Sequence, residues 1–138
     1  MAVFVDTSAL FALLDADDRY HAAAWGTWRA LAEQRETLMS SNYVLVETSA
    51  LAGRRLGFEA VREFEQTFVP LLRVHWVDEL LHERAVAALL TAGDRRLSLV
   101  DCVSFEALRR LGLDTAFGFD AHFAQQGFRR IPQRGAGR

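Results

Sequence analysis

The sequence predicts an α/β domain with a central, mainly parallel sheet of four to five strands and helices on both sides. Three observations predict it. Short apolar runs alternate with longer amphipathic segments, as strands alternate with helices. The first run, Ala2 to Val5, is apolar throughout, which suits a strand buried on both faces. The stretches between successive strands are long enough for the crossover helix that a parallel pair requires.

Ala2 to Val5 opens the chain as a strand, followed by a helix from Ser8 to about Leu14 and an acidic loop at Asp15, Asp17 and Asp18. Tyr20 to Gln34 reads as a helix with Trp25 and Trp28 one turn apart, and Thr37 to Ser40 as a second strand. Ser41 or Asn42 caps a helix that runs to about Leu56, where Gly57 ends it. Glu59 to Leu72 is helical, its length limited by Pro70. Arg73 to Val77 alternates like a strand. Asp78 then caps a helix whose apolar positions Leu81, Ala85, Ala88, Leu89 and Ala92 form one stripe, and Gly93 stops it. Ser98 starts the next helix, with Val100, Val103, Ala107, Leu108 and Leu111 facing inward and Gly112 as its stop. Asp114 to Phe119 is a strand, Ala121 to Gln126 a helical turn or two, and Phe128 to Ile131 a last strand before Pro132. Residues 1–132 therefore form one domain, and residues 133–138 read as a flexible tail.

Bulk properties narrow the function. The chain has 138 residues and is 51% hydrophobic, enough to bury a core without staples. Cys102 is the single cysteine, which excludes a disulfide framework or a multi-cysteine zinc site and suits a reducing compartment. No basic segment precedes Asp6, and no apolar run approaches the roughly 18 residues of a membrane span. A cytoplasmic location is expected. A net charge of −2 does not mark a nucleic-acid binder, yet all 16 basic residues are arginines. Many fall in doublets, at Arg54-Arg55, Arg95-Arg96, Arg109-Arg110 and Arg129-Arg130. Arginine forks phosphate oxygens bidentately, although coding bias also accounts for the missing lysine. That absence excludes a P-loop and a phospho-receiver domain, both of which need a lysine.

Four acids stand out by position. Asp6 follows the first strand, at the carboxyl end where open α/β sheets bind ligands; it would equally cap the short helix. Glu47 shares its helix face with Tyr43, Val44, Ala50 and Leu51, so no cation lies three or four residues away. Unless that face is exposed, Glu47 needs a cation or donor from elsewhere. Asp101 lies in Ser98-Leu99-Val100-Asp101, which resembles a capping box and is compatible with a second role. Asp120 follows a strand, as a ligand or as an N-cap. Brought together, these like charges repel, and a divalent cation resolves the conflict. Oxygen-only ligands favour Mg²⁺ or Mn²⁺ over zinc.

The motifs Val5-Asp6-Thr7-Ser8-Ala9-Leu10, Val46-Glu47-Thr48-Ser49-Ala50-Leu51, Leu97-Ser98-Leu99-Val100-Asp101-Cys102 and Gly118-Phe119-Asp120-Ala121-His122-Phe123, then Gly127-Phe128, occur in this order. Together they closely resemble the PIN domain, and especially the VapC-like toxins of bacterial toxin–antitoxin pairs. The resemblance spans essentially the whole chain. It implies a PIN-type, Rossmann-like α/β/α sandwich and metal-dependent endonucleolytic cleavage of RNA. Asp6, Glu47, Asp101 and Asp120 match the family's acidic constellation residue by residue. The resemblance further implies a homodimer and a small antitoxin protein that blocks the acidic pocket, often with an arginine.

On this reading Asp6 and Asp101 ligate Mg²⁺ (or Mn²⁺) directly, and Glu47 and Asp120 do so directly or through water. Water attacks phosphorus in line and leaves a 5′-phosphate and a 3′-hydroxyl. His122 touches a phosphate or water, or is a surface or supporting residue. Arg54-Arg55 and Arg95-Arg96 hold the RNA backbone, or are solvated helix ends. Trp25, Trp28 and Trp76 are stacking platforms or, more commonly for such aromatics, packing residues. Cys102 is expected to be a buried structural residue. The alternatives are a solo RNA-processing or DNA nuclease without an antitoxin, and an inactive PIN-like binding module. A haloacid-dehalogenase phosphatase is a disfavoured rival, because Ser8 stands where its second acid belongs and its lysine is missing.

Overall fold

The computed structural model describes residues 1–133, so the expected tail over 133–138 lies, but for Gln133, outside the described residues. The sheet has five strands: β1 (Ala2–Val5), β2 (Thr37–Ser41), β3 (Arg73–His75), β4 (Thr115–Phe117) and β5 (Arg129–Ile131). All pairings are parallel and the order is β3-β2-β1-β4-β5. β1 is central because its sequence carries no polar face. Val3, Phe4 and Val5 are buried, and Phe4 stands between Met39 of β2 and Ala116 of β4. From β1 the chain winds outward to β3, then returns to place β4 and β5 on the other side. The strand order reverses between β1 and β4, which opens a crevice at their carboxyl ends.

The helices are α1 (Thr7–Leu14), α2 (His21–Glu33), α3 (Asn42–Leu56), α4 (Phe58–Glu63), α5 (Glu79–Ala92), α6 (Leu99–Leu111) and α7 (His122–Gln125). Their fully buried side chains, among them Leu10, Val44, Val103, Leu108 and Phe123, sandwich the sheet. Each such side chain stabilises the fold by about 1.5–3 kcal/mol. Trp28 packs on Phe68 at 5.4 Å, and Trp25 lies 6.1 Å from the same ring while its indole N–H donates to the Leu13 carbonyl. Both are packing residues. Trp76, in contrast, is 70% exposed, and Cys102 is buried as expected.

The structure corrects the sequence reading in four places. The helix expected over Glu59 to Leu72 ends at Glu63; a π turn over Phe64–Phe68 and a 3₁₀ turn over Val69–Leu71 follow. Pro70 cannot donate to a helix, and the wider turn keeps Phe64 and Phe68 both buried. β3 stops at His75 rather than Val77, because the Val77 N–H donates to Asn42 Oδ1 at 2.8 Å. β4 spans only Thr115–Phe117, since the Phe119 N–H turns to the Ser8 hydroxyl at 2.8 Å. On α5 the covered stripe is Leu81, Ala85 and, partly, Leu89, whereas Ala88 and Ala92 are exposed. α5 packs mainly along α6, so a narrow i, i+4, i+8 row suffices.

Candidate active site

Asp6 ends β1 at the crevice, and its position forces two roles. As N-cap of α1, its Oδ2 accepts from the Ser8 N–H at 3.2 Å and from the Ser8 hydroxyl at 2.7 Å. Both hydrogen bonds use the same oxygen and leave Oδ1 unclaimed. Asp101 repeats the device at the start of α6. Its N–H donates to Ser98 Oγ at 3.1 Å and its Oδ2 accepts from the Ser98 N–H at 3.0 Å, a reciprocal capping box. Asp120, after β4, is held without capping a helix. Its Oδ1 accepts from the His122 N–H at 2.9 Å and lies 2.8 Å from His122 Nδ1, while Ala121 is the N-cap of α7. Each aspartate is thus pinned by one oxygen and offers the other.

Glu47 differs. It is half-buried on α3 and has no hydrogen bond or ion pair among the described residues. The next residue anchors it: Thr48 Oγ1 donates to Thr7 Oγ1 at 3.2 Å, buried between α3 and α1. One face of Glu47 also borders an apolar hollow of about 320 Å³ with Asn42, Tyr43, Val46 and Val100.

All four acids line a single cleft of about 320 Å³, together with Thr7, Ser8, Leu51, Arg54 and Ser98. Two of these acids, Asp101 and Asp120, form a tighter group with the adjoining His122, the three offering ligand atoms within 4.8 Å of one another. Asp6 and Glu47 stand outside that group and complete the wall. Burial pushes the Asp6 carboxyl up to about 7; the Ser8 hydrogen bonds oppose this, and the charges of Asp101 and Asp120 add to it. Burial also raises Asp101, opposed by the Ser98 N–H and reinforced by Asp120. Asp6 therefore senses the charges of Asp101 and Asp120, and Asp101 that of Asp120. Unclaimed carboxylate oxygens beside one imidazole suit a hard divalent cation such as Mg²⁺ or Mn²⁺.

Two residues of the site escaped the sequence reading as functional elements. Ser8 links the loops that carry Asp6 and Asp120, because its hydroxyl donates to Asp6 and accepts from the Phe119 N–H. Gly118 lets those loops meet, as a Cβ there would stand 2.9 Å from Ser8 Oγ and 3.0 Å from Asp6 Cβ. Asp6-Thr7-Ser8 at a strand–helix junction carried a signal for the first; nothing local signalled the second.

A parallel sheet whose switch point carries an acid-lined crevice defines a class of α/β nucleases. The chain belongs to one family of them, the PIN-domain family of metal-dependent nucleases, which its residues 3–129 match. It is similar to VapC20, a 23S rRNA-specific endonuclease of Mycobacterium tuberculosis: 37% identity over 127 residues, covering 91% of this chain and 95% of the relative. The crystal structure of VapC20, a sarcin–ricin-loop-cleaving toxin, matches with a TM-score of 0.81 at 35% identity, covering 92% of this chain and 96% of that one. VapBC2 of Rickettsia felis, solved on a promoter DNA fragment, shares the fold at a TM-score of 0.71 and 13% identity, over 94% and 97% of the two chains. Among the described residues, no helix is long and apolar enough to cross a membrane.

Proposed function

We propose that this chain is a Mg²⁺-dependent endoribonuclease toxin that cuts 23S rRNA, with Asp6, Glu47, Asp101 and Asp120 as its catalytic carboxylates. The observation that carries this reading is the meeting of all four acids, drawn from distant parts of the chain, in one cleft. The similarity to a 23S rRNA-specific endonuclease supports the substrate. Asp101 and Asp120, each with one carboxylate oxygen already hydrogen-bonded, would hold the ion. Asp6 would complete the ion's surroundings, and Glu47, which no local donor restrains, would orient water. His122 keeps Asp120 Oδ1 occupied and so fixes which oxygen faces the cleft. A bound divalent ion supplies charge neutralisation at the phosphate and acidifies water. The products are a 5′-phosphate and a 3′-hydroxyl.

The similarity to a toxin supports an antitoxin partner, and the acid-lined cleft suits one that blocks it with a cationic side chain. Exposed apolar side chains such as Val46 and Trp76, 69% and 70% accessible, supply surface of the kind a second copy covers, in keeping with a homodimer. The test is to incubate the purified protein with 23S rRNA in Mg²⁺ or in EDTA, beside Asp6→Asn, and to map the cut ends. Cleavage is expected in Mg²⁺ alone and is lost in the variant. Equal cleavage by both proteins would point to a contaminating nuclease and remove the reading.

A further inference from the structure

We propose that Arg54 is the phosphate clamp of the cleft, its guanidinium forking the oxygens of an RNA phosphate at or beside the cut bond. This rests on the reading that the cleft hydrolyses RNA. Four observations carry it. Arg54 lines the cleft with the four acids, and it is the one cationic side chain in that lining among the described residues. Glu47, Leu51 and Arg54 follow one another at i, i+4 and i+7 on α3, so a single helix face carries the acid and, with its backbone about 10 Å further along the axis, the arginine. Despite four neighbouring carboxylates, Arg54 makes no ion pair within 4.0 Å among the described residues. Its doublet partner is otherwise engaged, since the Arg55 guanidinium lies over the Phe11 ring at 5.8 Å.

The other doublets lack this combination. Arg96 pairs with Asp94, Arg109 with Glu106 and Arg110 with Asp78. Arg130 donates to the Gly118 carbonyl. A phosphodiester approaching the cleft meets four acids and, among the described lining residues, one cation, Arg54. A guanidinium there neutralises the incoming charge, stays protonated at any working pH, and matches two phosphate oxygens at once. The competing explanation is purely structural: Arg54 lies in the last turn of α3, where a cation favours the helix dipole. That role predicts a change in stability and none in RNA binding.

The experiment compares Arg54→Gln, Arg54→Lys and Arg55→Gln. In Mg²⁺, steady-state cleavage of 23S rRNA is expected to show KM raised about tenfold or more in Arg54→Gln, the scale set by one hydrogen bond to a charged group. Arg54→Lys should recover part of the loss, and Arg55→Gln should match the wild type. Without metal, binding of a labelled single-stranded RNA is titrated against salt in the cleavage-silent Asp6→Asn background. Adding Arg54→Gln is expected to flatten the log–log salt slope by about 0.7, one phosphate contact. If the wild type fails to cleave RNA, the functional reading falls and the clamp with it. If the wild type cleaves while Arg54→Gln keeps its KM and salt slope, the clamp alone is overturned. A lower melting temperature with an unchanged slope overturns it too, in favour of the helix-end role.

Discussion

Gly118 and Asp6 stand so close that a methyl group on Gly118 would reach within 3.0 Å of Asp6 Cβ and 2.9 Å of Ser8 Oγ. Neither neighbour yields freely. Asp6 is fixed at the end of the central strand, its own N–H donating to the Phe117 carbonyl at 2.9 Å, and Ser8 is held from both sides. Gly118→Ala must therefore push the β4–α7 loop outward and carry Asp120 away from Asp6. Overpacking of this kind costs about 1–3 kcal/mol. The expected outcome is a lower denaturant midpoint together with a larger loss of RNA cleavage than the loss of folded protein explains. A variant with wild-type cleavage would show that the two loops need no such close approach.

The Asp6 carboxyl makes folding depend on pH in an unusual direction. Its native value is about 7, against 3.8 for the exposed group. Between those values the native state holds a proton that the unfolded chain has lost, so stability falls as pH rises through that window and levels off above it. At about 1.4 kcal/mol per unit, the loss is at most about 4 kcal/mol. Asp101, also raised by burial, acts in the same direction. Asp78, held low by the Leu81 N–H and Arg110, acts in the opposite sense, but in more acidic solution. Asp6→Asn keeps an acceptor for Ser8 and removes the titration. In EDTA, urea unfolding from pH 4 to 8 should show the wild type losing stability relative to the variant. Parallel curves would mean that Asp6 is ionised in the fold throughout.

Much of this was legible in the sequence, and what was not has physical reasons. The five strands could be read because each is a short apolar run beside turn chemistry. The acids could be read because Asp6 and Asp120 follow strands and Asp101 completes a capping box with Ser98. The segment after Glu63 could not, because a π turn is chosen by how Phe64 and Phe68 pack and leaves no local pattern. The α5 stripe was read too wide because alanine at Ala88 and Ala92 is as welcome on an exposed helix as in a core. Arg54 and Arg55 were indistinguishable as a doublet. Adjacent helical residues point about 100° apart, and only the packing of α1 against α3 decides which one meets the cleft and which meets Phe11.

Asp101 carries a cap and a charge, and two substitutions separate them. Asp101→Asn retains an oxygen that can accept from the Ser98 N–H, yet it removes a carboxylate that burial and Asp120 both disfavour. In metal-free protein at neutral pH it should be neutral or stabilising. Asp101→Ala loses half of the capping box and should cost about 1 kcal/mol. Chemical denaturation of the three proteins in EDTA measures both differences. Equal destabilisation by the two variants would show that repulsion among the acids contributes little. Neither variant is expected to cleave RNA.

Adding a divalent ion should reverse the electrostatic pattern. With Asp6 ionised above about pH 7, the cleft offers its full charge, and a proton on Asp6 competes with the ion below that. Mg²⁺ or Mn²⁺ is therefore expected to raise the melting temperature of the wild type at pH 8 by more than at pH 5. The stabilisation grows with concentration, reaching about 2.7 kcal/mol at a hundredfold excess over Kd. Glu47→Gln removes a cleft carboxylate that caps nothing and binds no neighbour, so its apo stability should match the wild type while its response to the ion shrinks. Thermal unfolding with and without EDTA reads both effects. If neither ion shifts the wild type at pH 8, where Asp6 is ionised, the carboxylates do not share a cation.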